Sequence, residues 1–524
     1  MVNTEGARRP WTWLVAFGLV MATHVVWQLL NSAPPVWDMA SHQALGLQYL
    51  DAWREGALVR RFAEISTYYP PLYYLQEAIV LEFFSYQRFL PLLTNFPSLL
   101  LLSYCCFRLG ERYCGNRLAW QVGVLPLLFP LVAWTSRESL LDVALSGWVA
   151  AGIFALARSG LLADRRWSLV FGVIVACGML TKWTFVAFLF LPVCYALYLS
   201  AQRRQSVVNL LFASLVAAGP ILFWYLPNLA NLAERFRATS TVGTALEADP
   251  TALTLSGWLY YPRCLLSYYL YLPLFALFLI GLALNLRKRT DEVPSEREVG
   301  LIWAWLLGGL LALTILNAKD PRYVMPLAAP VALLLVRFWR RVPAMTWAIL
   351  VIAAFQFATV SFNVLGRPVK WAVGDLERDP DYLSLSREWV FYQSHYFEVA
   401  GPAHREDWRL DELLRAVPLG ERLGVLPELP RLNTATLDLV ARVRHEQRSF
   451  ARLGQSPDSV GLLDGFPYVV GKTGDQGISY LTRFNEAVYR ALKERKWPIV
   501  GRWNAPDGSV ILLFKRPDVA VGGQ

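Results

Sequence analysis

The chain has 524 residues, of which 55% are hydrophobic, 14% aromatic and only 17% charged, with a formal net charge of +10. Apolar runs near the ~20 residues that cross a bilayer recur through the first 362 positions, which excludes a disordered chain or an ordinary water-soluble enzyme. The positive balance does not point to nucleic acid, because it sits in short basic clusters between apolar runs, as the positive-inside rule requires of a polytopic membrane protein.

The first apolar run, 11–30, follows Arg8 and Arg9. It is longer than a signal-peptide core, and Asn31-Ser32-Ala33 is a poor cleavage site, so a retained anchor is expected. Further spans are expected at 92–108, 118–135, 142–158, 168–181, 183–199, 207–227, 264–286, 299–317, 324–338 and 344–362, eleven in all. The run 72–86, LYYLQEAIVLEFFSY, is short and carries Glu77 and Glu82. Read as a juxtamembrane or re-entrant helix, it leaves the clusters around Arg108, Arg158, Arg203, Arg287 and Arg337 on the same side as Arg8 and Arg9. The N-terminus is then expected in the cytoplasm and the region after the last span outside it. The six cysteines (Cys105, Cys106, Cys114, Cys177, Cys194 and Cys264) lie in or beside spans, with no disulfide framework or zinc spacing.

The expected division is a transmembrane domain over 1–363 and an extracytoplasmic soluble α/β domain over 364–524. The first carries an outer loop with juxtamembrane helices at 38–90 and a second long outer loop at 228–263. In the second, helices are expected at 408–416, 434–444 and 480–496, and strands at 422–426 and 467–470. A closing hairpin is expected from strands 499–503 and 510–515 joined through Ala505-Pro506-Asp507-Gly508, giving a partly parallel sheet. No glycine-rich fingerprint follows these strands, so no nucleotide is expected.

With this topology the polar exceptions gather at the outer ends of the spans. They are Asp38, His42, Glu64 and the segment Tyr68 to Tyr74 in the first outer loop; Arg137, Glu138 and Asp142; Lys182; Arg235, Arg237 and Arg263; and Lys319, Asp320, Arg322 and Tyr323. Ionisable groups beside a membrane are costly, so their concentration on one side favours a site there, and cations at the rim suit a lipid phosphate. Each also has a plainer reading. Asp38 serves as a helix cap, Arg137 and Asp142 pair with one another, Lys182 snorkels, His42 is a surface histidine, and the tyrosines anchor the interface.

In order and spacing, residues 1–362 resemble the GT-C glycosyltransferases, in particular the branch of protein O-mannosyltransferases and lipid A aminoarabinose transferases. The matching pieces are Asp38 after the first span, YPPLYYL at 69–75, SRESLLDVAL at 136–145, GMLTKWTF at 178–185 and KDPRYVMPL at 319–327. The resemblance implies an integral membrane inverting transferase that moves a sugar from a polyprenyl-phosphate donor to an extracytoplasmic glycan, lipid or protein acceptor. It implies Asp38 as catalytic base, with Asp142 and Arg137 as a second polar pair beside the chemistry. Lys319 and Arg322 would hold the donor phosphate and Lys182 would sit near the cavity, with His42, Glu64, Tyr69, Pro70, Pro71, Tyr73, Glu77 and Tyr323 lining the substrate site. Many members carry two adjacent acids where this chain has Asp38-Met39, so metal dependence is not expected and Glu64 or Glu77 is the candidate second carboxylate. A bacterial inner membrane is the expected location.

Two other classes compete. A transporter or lipid flippase would show paired, Gly/Pro-broken spans in two related halves, which this sequence lacks. A catalytically silent assembly subunit of the same fold is told apart by whether Asp38→Asn abolishes turnover.

Overall fold

The computed structural model describes residues 10–200, 203–247, 249–287, 296–367, 369–372, 388–392 and 401–517. All eleven apolar runs are helical, as hydrocarbon demands of backbone groups that have no water to bond. Seven helices are long and apolar enough to cross a membrane: Pro10–Leu30, Leu90–Tyr113, Leu141–Arg158, Arg204–Leu246, Leu255–Leu286, Pro321–Trp339 and Pro343–Phe362. Ala119–Leu128, Phe185–Leu199 and Val299–Ile315 are shorter apolar helices. The segment expected as one span at 118–135 is split, because Phe129 precedes Pro130 and is driven to the extended region (φ −66°, ψ 132°). The run expected not to cross forms the helix Leu72–Phe84, whose 13 residues span only about 20 Å of rise.

The contacts divide the chain into two compact units: Met1–Gln28, Ala52–Gln76 and Phe89–Pro402 form the first, and Leu29–Asp51, Glu77–Arg88 and Ala403–Gln524 the second. This division differs from a single boundary at 363/364, since two segments of the first outer loop cluster with the C-terminal region.

In the first unit, Leu141–Arg158 packs on Leu90–Tyr113 and Arg165–Thr181, and the latter packs on Arg204–Ala238. Glycine makes these approaches possible: a Cβ on Gly147 would lie 2.8 Å from the Ser98 carbonyl oxygen, and one on Gly172 only 2.4 Å from that of Ala213. A short hairpin pairs β1 (Val369–Ala372) with β2 (Glu388–Tyr392).

The second unit is built on a five-stranded sheet of β3 (Arg422–Val425), β4 (Ser449–Arg452), β5 (Tyr468–Lys472), β6 (Ile499–Asn504) and β7 (Val510–Lys515), in the order β4-β3-β5-β7-β6. The β4, β3 and β5 strands are parallel, and β7 runs antiparallel to β5 and β6. This is the mixed sheet expected from sequence. The helix Thr434–Val443 opens at Asn433, whose side chain accepts from the Ala435 and Thr436 amides in a capping box. The β6–β7 turn closes through Gly508 (φ +81°) and the Asp507 carboxylate, which accepts from the Ser509 amide. Strand β4 escaped the sequence reading because Ser-Phe-Ala-Arg at a sheet edge alternates poorly. The last helix begins at Asn485 rather than 480, because residues 480–484 are turn and bend, and the Phe484 amide bonds to the Gly454 carbonyl.

Candidate active site

The centre of the first unit's polar cluster is an ion pair. Lys182 Nζ lies 2.7 Å from Asp142 Oδ1, with both side chains about 95% or more buried. Asp142 occupies the first turn of Leu141–Arg158, and Lys182 is the C-cap of Arg165–Thr181, so each charge also faces the favourable end of its helix dipole. Two aromatic faces roof the ammonium: the Tyr323 ring at 4.9 Å and the Tyr69 ring at 5.7 Å. An ammonium has three donors, and the carboxylate takes one.

Tyr323 comes from the segment KDPRYVMPL, which folds as a 3-10 helix, Pro321–Leu327. Asp320 is its N-cap, accepting from the Arg322 amide at 2.7 Å, and Pro321 takes the position where a missing N–H costs nothing. The same carboxylate grips the Arg322 guanidinium, with Nε to Oδ2 at 2.9 Å and Nη2 to Oδ2 at 2.6 Å. Tyr323 lies within electrostatic reach of Asp142, Asp320 and Arg322 together. The Tyr269 hydroxyl donates to the Pro321 carbonyl at 3.0 Å from a π-helical turn, Leu265–Leu270, which ends at Tyr271 with φ +51°. Wide turns and left-handed non-glycine residues recur at functional sites.

Lys319 is placed differently from the expectation that its ammonium holds phosphate. Its Nζ donates to the carbonyls of Leu313 (3.0 Å), Thr314 (2.8 Å) and Leu316, so all three protons cap the end of Glu296–Ile315. Its amide donates to Asp249 Oδ2 at 2.8 Å. Burial pushes the Lys319 ammonium down to about 8 and the Asp249 carboxyl up to about 7.

Arg137 also departs from expectation. It does not pair with Asp142, because residues 136–140 form a non-helical turn and the spacing no longer stacks the two side chains. Its Nε donates to His24 Nδ1 (2.9 Å) and its Nη2 to Ser361 Oγ, while the guanidinium lies 5.1 Å from the Trp27 ring and 5.5 Å from Phe357. Gln28 holds the Arg137 carbonyl at 2.7 Å. The turn is gripped from the other side by Asn95, which donates to the Ser136 and Glu138 carbonyls and accepts from the Tyr73 hydroxyl. Tyr73 and the Arg137 box thus hold the turn that delivers Asp142.

Pro70 and Pro71 are buried in the turn that brings Tyr69 over Lys182, whereas Glu64 is exposed. Asp38, His42 and Glu77 belong to the second unit. Asp38 is exposed in the first turn of the helix Trp37–Arg54. The Trp37 amide donates to the Pro430 carbonyl, and Ser32 and Ala33 donate to that of His404, fastening this segment to the C-terminal region. His42 is 5% exposed, which corrects its reading as a surface histidine: it faces the packed side of its helix. Glu77 is fully buried against Gly46, where a Cβ would lie 2.7 Å from Glu77 Oε2. Among the described residues, no group of three or more His, Cys, Asp or Glu side chains is placed to hold a metal ion. All six cysteines are free thiols.

Sequence reasoning missed His24, Asp249 and the part played by Asp320. A histidine inside an apolar span was the available signal for the first.

Several apolar helices and a C-terminal mixed sheet, with a paired lysine and aspartate at the ends of two helices, define a polytopic membrane protein of the ArnT-like fold. The chain is similar to ArnT from Cupriavidus metallidurans in the apo state, with a TM-score of 0.63 and 13% identity over 98% of this chain and 99% of the other. It is equally similar to ArnT from that organism bound to undecaprenyl phosphate, with a TM-score of 0.61 over the same shares. A stretch of 244 residues is 33% identical to the undecaprenyl phosphate-alpha-4-amino-4-deoxy-L-arabinose arabinosyl transferase 2 of Pseudomonas fluorescens. That stretch covers 45% of this chain and 40% of the relative. No family model matches the sequence. The resemblance drawn from sequence to the aminoarabinose transferase branch is borne out by the fold and this distant relative.

Proposed function

We propose that this protein is a membrane glycosyltransferase that moves a sugar, of pentose class, from an undecaprenyl-phosphate donor to an acceptor at the outer face of a bacterial inner membrane. The observation that carries the reading is the buried Lys182–Asp142 pair under Tyr69 and Tyr323, beside Asp320–Arg322, at the ends of apolar helices. The relatives' names supply the donor lipid and the sugar class; the residues supply a reason for both. A lipid phosphate needs cations at the membrane rim, and stacked tyrosine rings suit the face of a sugar.

Lys182 and Arg322 take the phosphate role that Lys319 does not fill. As the bond between the anomeric carbon and the phosphate oxygen lengthens, charge grows on the leaving phosphate, and these cations stabilise it more than the ground state. Asp38 is the base: it accepts the proton of the acceptor hydroxyl or phosphate as that oxygen attacks, and the anomeric centre inverts. Asp142 holds the Lys182 ammonium, and Tyr73, Asn95 and Arg137 hold Asp142. The N-terminus is cytoplasmic in this reading, and the C-terminal region is outside, where it contributes to acceptor choice.

The test is sugar transfer in proteoliposomes, with labelled undecaprenyl-phosphate sugars offered to wild type and Asp38→Asn. Turnover of one donor by wild type, reduced by about 10²–10⁴ in the variant, is expected for loss of a general base. Equal turnover by the two proteins removes Asp38 from that role. Donor translocation without sugar transfer replaces the whole reading with a transporter.

A further inference from the structure

At the end of Leu141–Arg158 opposite Asp142, about 24 Å away by helix rise, lies a second polar cavity that the transfer chemistry does not use. It has a volume of about 230 Å³ and is lined by Arg108, Glu111, Arg112 and Arg158 over a floor of Leu109, Phe154 and Ala157. The last turns of Leu90–Tyr113 and Leu141–Arg158 meet here, where Arg112 Nη1 donates to the Ala157 carbonyl at 2.9 Å. Arg108 Nη1 pairs with Glu111 Oε2 at 2.9 Å, and the Arg158 guanidinium rests 5.5 Å from the Trp167 ring.

Arginines at helix C-termini often do no more than complement the dipole, so the charge balance decides. Three guanidinium groups face one carboxylate and two helix ends worth about −0.5 each, which leaves the cavity near +1. The space exceeds the ~30 Å³ share of one water several times over, enough for a tetrahedral oxyanion. Below the cations an aromatic strip continues along the helices, with Trp167 on Phe154 (5.7 Å) and Phe154 on Tyr104 (6.4 Å). Cations above an aromatic, half-exposed strip at the end of a membrane helix match the phosphate and upper acyl chain of an anionic phospholipid.

We infer that the cavity between Arg108, Arg112 and Arg158 binds a phosphate group, supplied by an anionic phospholipid of the leaflet on that side. The ion joins the two helix ends, and Arg158 is the arm that swings from Trp167 to it. This site is independent of the donor site and of the transfer reading.

The test is native mass spectrometry of the purified full chain titrated with phosphatidylglycerol or phosphatidylcholine, for wild type, Arg158→Lys, Arg158→Ala, Arg158→Glu and, as a control, Arg204→Glu. Wild type is expected to retain phosphatidylglycerol in preference to phosphatidylcholine. At about 1 kcal/mol per basic side chain, Arg158→Ala should weaken retention about fivefold and Arg158→Glu about thirtyfold, with Arg158→Lys and Arg204→Glu near wild type. Equal retention by wild type and Arg158→Glu overturns the site. Loss of the bound lipid to millimolar inorganic phosphate overturns the lipid assignment and gives the cavity to a soluble phosphate.

Discussion

Lys182 Nζ stands 2.7 Å from Asp142 Oδ1 across 40 residues of sequence, joining the last residue of one helix to the first turn of its neighbour. The helices Leu141–Arg158 and Arg165–Thr181 form a hairpin, so the pair closes its open end. A charge so deeply buried is tolerable only with its partner, which makes the pair a constraint on folding as well as a source of chemistry.

Removing either member leaves the other uncompensated, at a cost of about 3–5 kcal/mol. Lys182→Met and Asp142→Leu are each expected to lower the melting temperature in detergent, and the double variant to recover much of the loss while remaining inactive in sugar transfer. A double variant no more stable than the worse single one contradicts this account.

Arg137 is expected to act through structure. Arg137→Lys keeps the charge but loses the fork that reaches His24 and Ser361 together. The expected outcome is a less stable protein with reduced turnover and an unchanged KM for the lipid-linked donor. A donor KM raised tenfold at unchanged stability would instead make Arg137 a phosphate ligand.

Asp320 neutralises Arg322 in the present structure, so a donor phosphate must compete with it. Asp320→Asn keeps an N-cap for Pro321–Leu327 and frees the guanidinium. Donor KM is expected to fall about fivefold, a fraction of the about 1.5–3 kcal/mol of a charge-assisted bond. Steady-state kinetics with varied donor checks this; a raised KM means the aspartate orients Arg322 rather than masking it.

The Asp249 and Lys319 contact gives a pH dependence of definite sign. Burial pushes Asp249 up to about 7, while an unfolded aspartate titrates near 3.9, so the folded state holds the extra proton in between. That contribution is fully present below about pH 4 and is lost as pH rises to 7. Lys319, pushed down to about 8 from an unfolded value of about 10.4, works in reverse, and stability recovers as pH rises through that window. A minimum is therefore expected between about pH 7 and 8. Thermal melts across pH should show Asp249→Asn flattening the acid-side slope; an unaltered slope rejects the assignment.

Much of this was legible in the chain. Asp142, Lys182, Tyr69 and Tyr323 were named from short motifs, and the structure places all four together. Their pairing was not legible. Arg137 and Asp142, five residues apart, looked like partners across a helical turn, yet the non-helical residues between them turned the guanidinium toward His24, 113 positions away. Lys319 read as a phosphate ligand because a basic residue before a span so often is one; its ammonium caps the preceding helix instead.

What the sequence determined by itself is what local physics controls. Hydropathy placed the helices, Pro130 and Gly508 placed a break and a turn, and the strands of the C-terminal sheet followed from alternation and turn chemistry. What only the tertiary structure decided is the partner of each charge. In a low-dielectric interior a charged group must be met by another group at hydrogen-bond distance, and which one arrives depends on how helices pack across 40, 70 or 113 residues of chain.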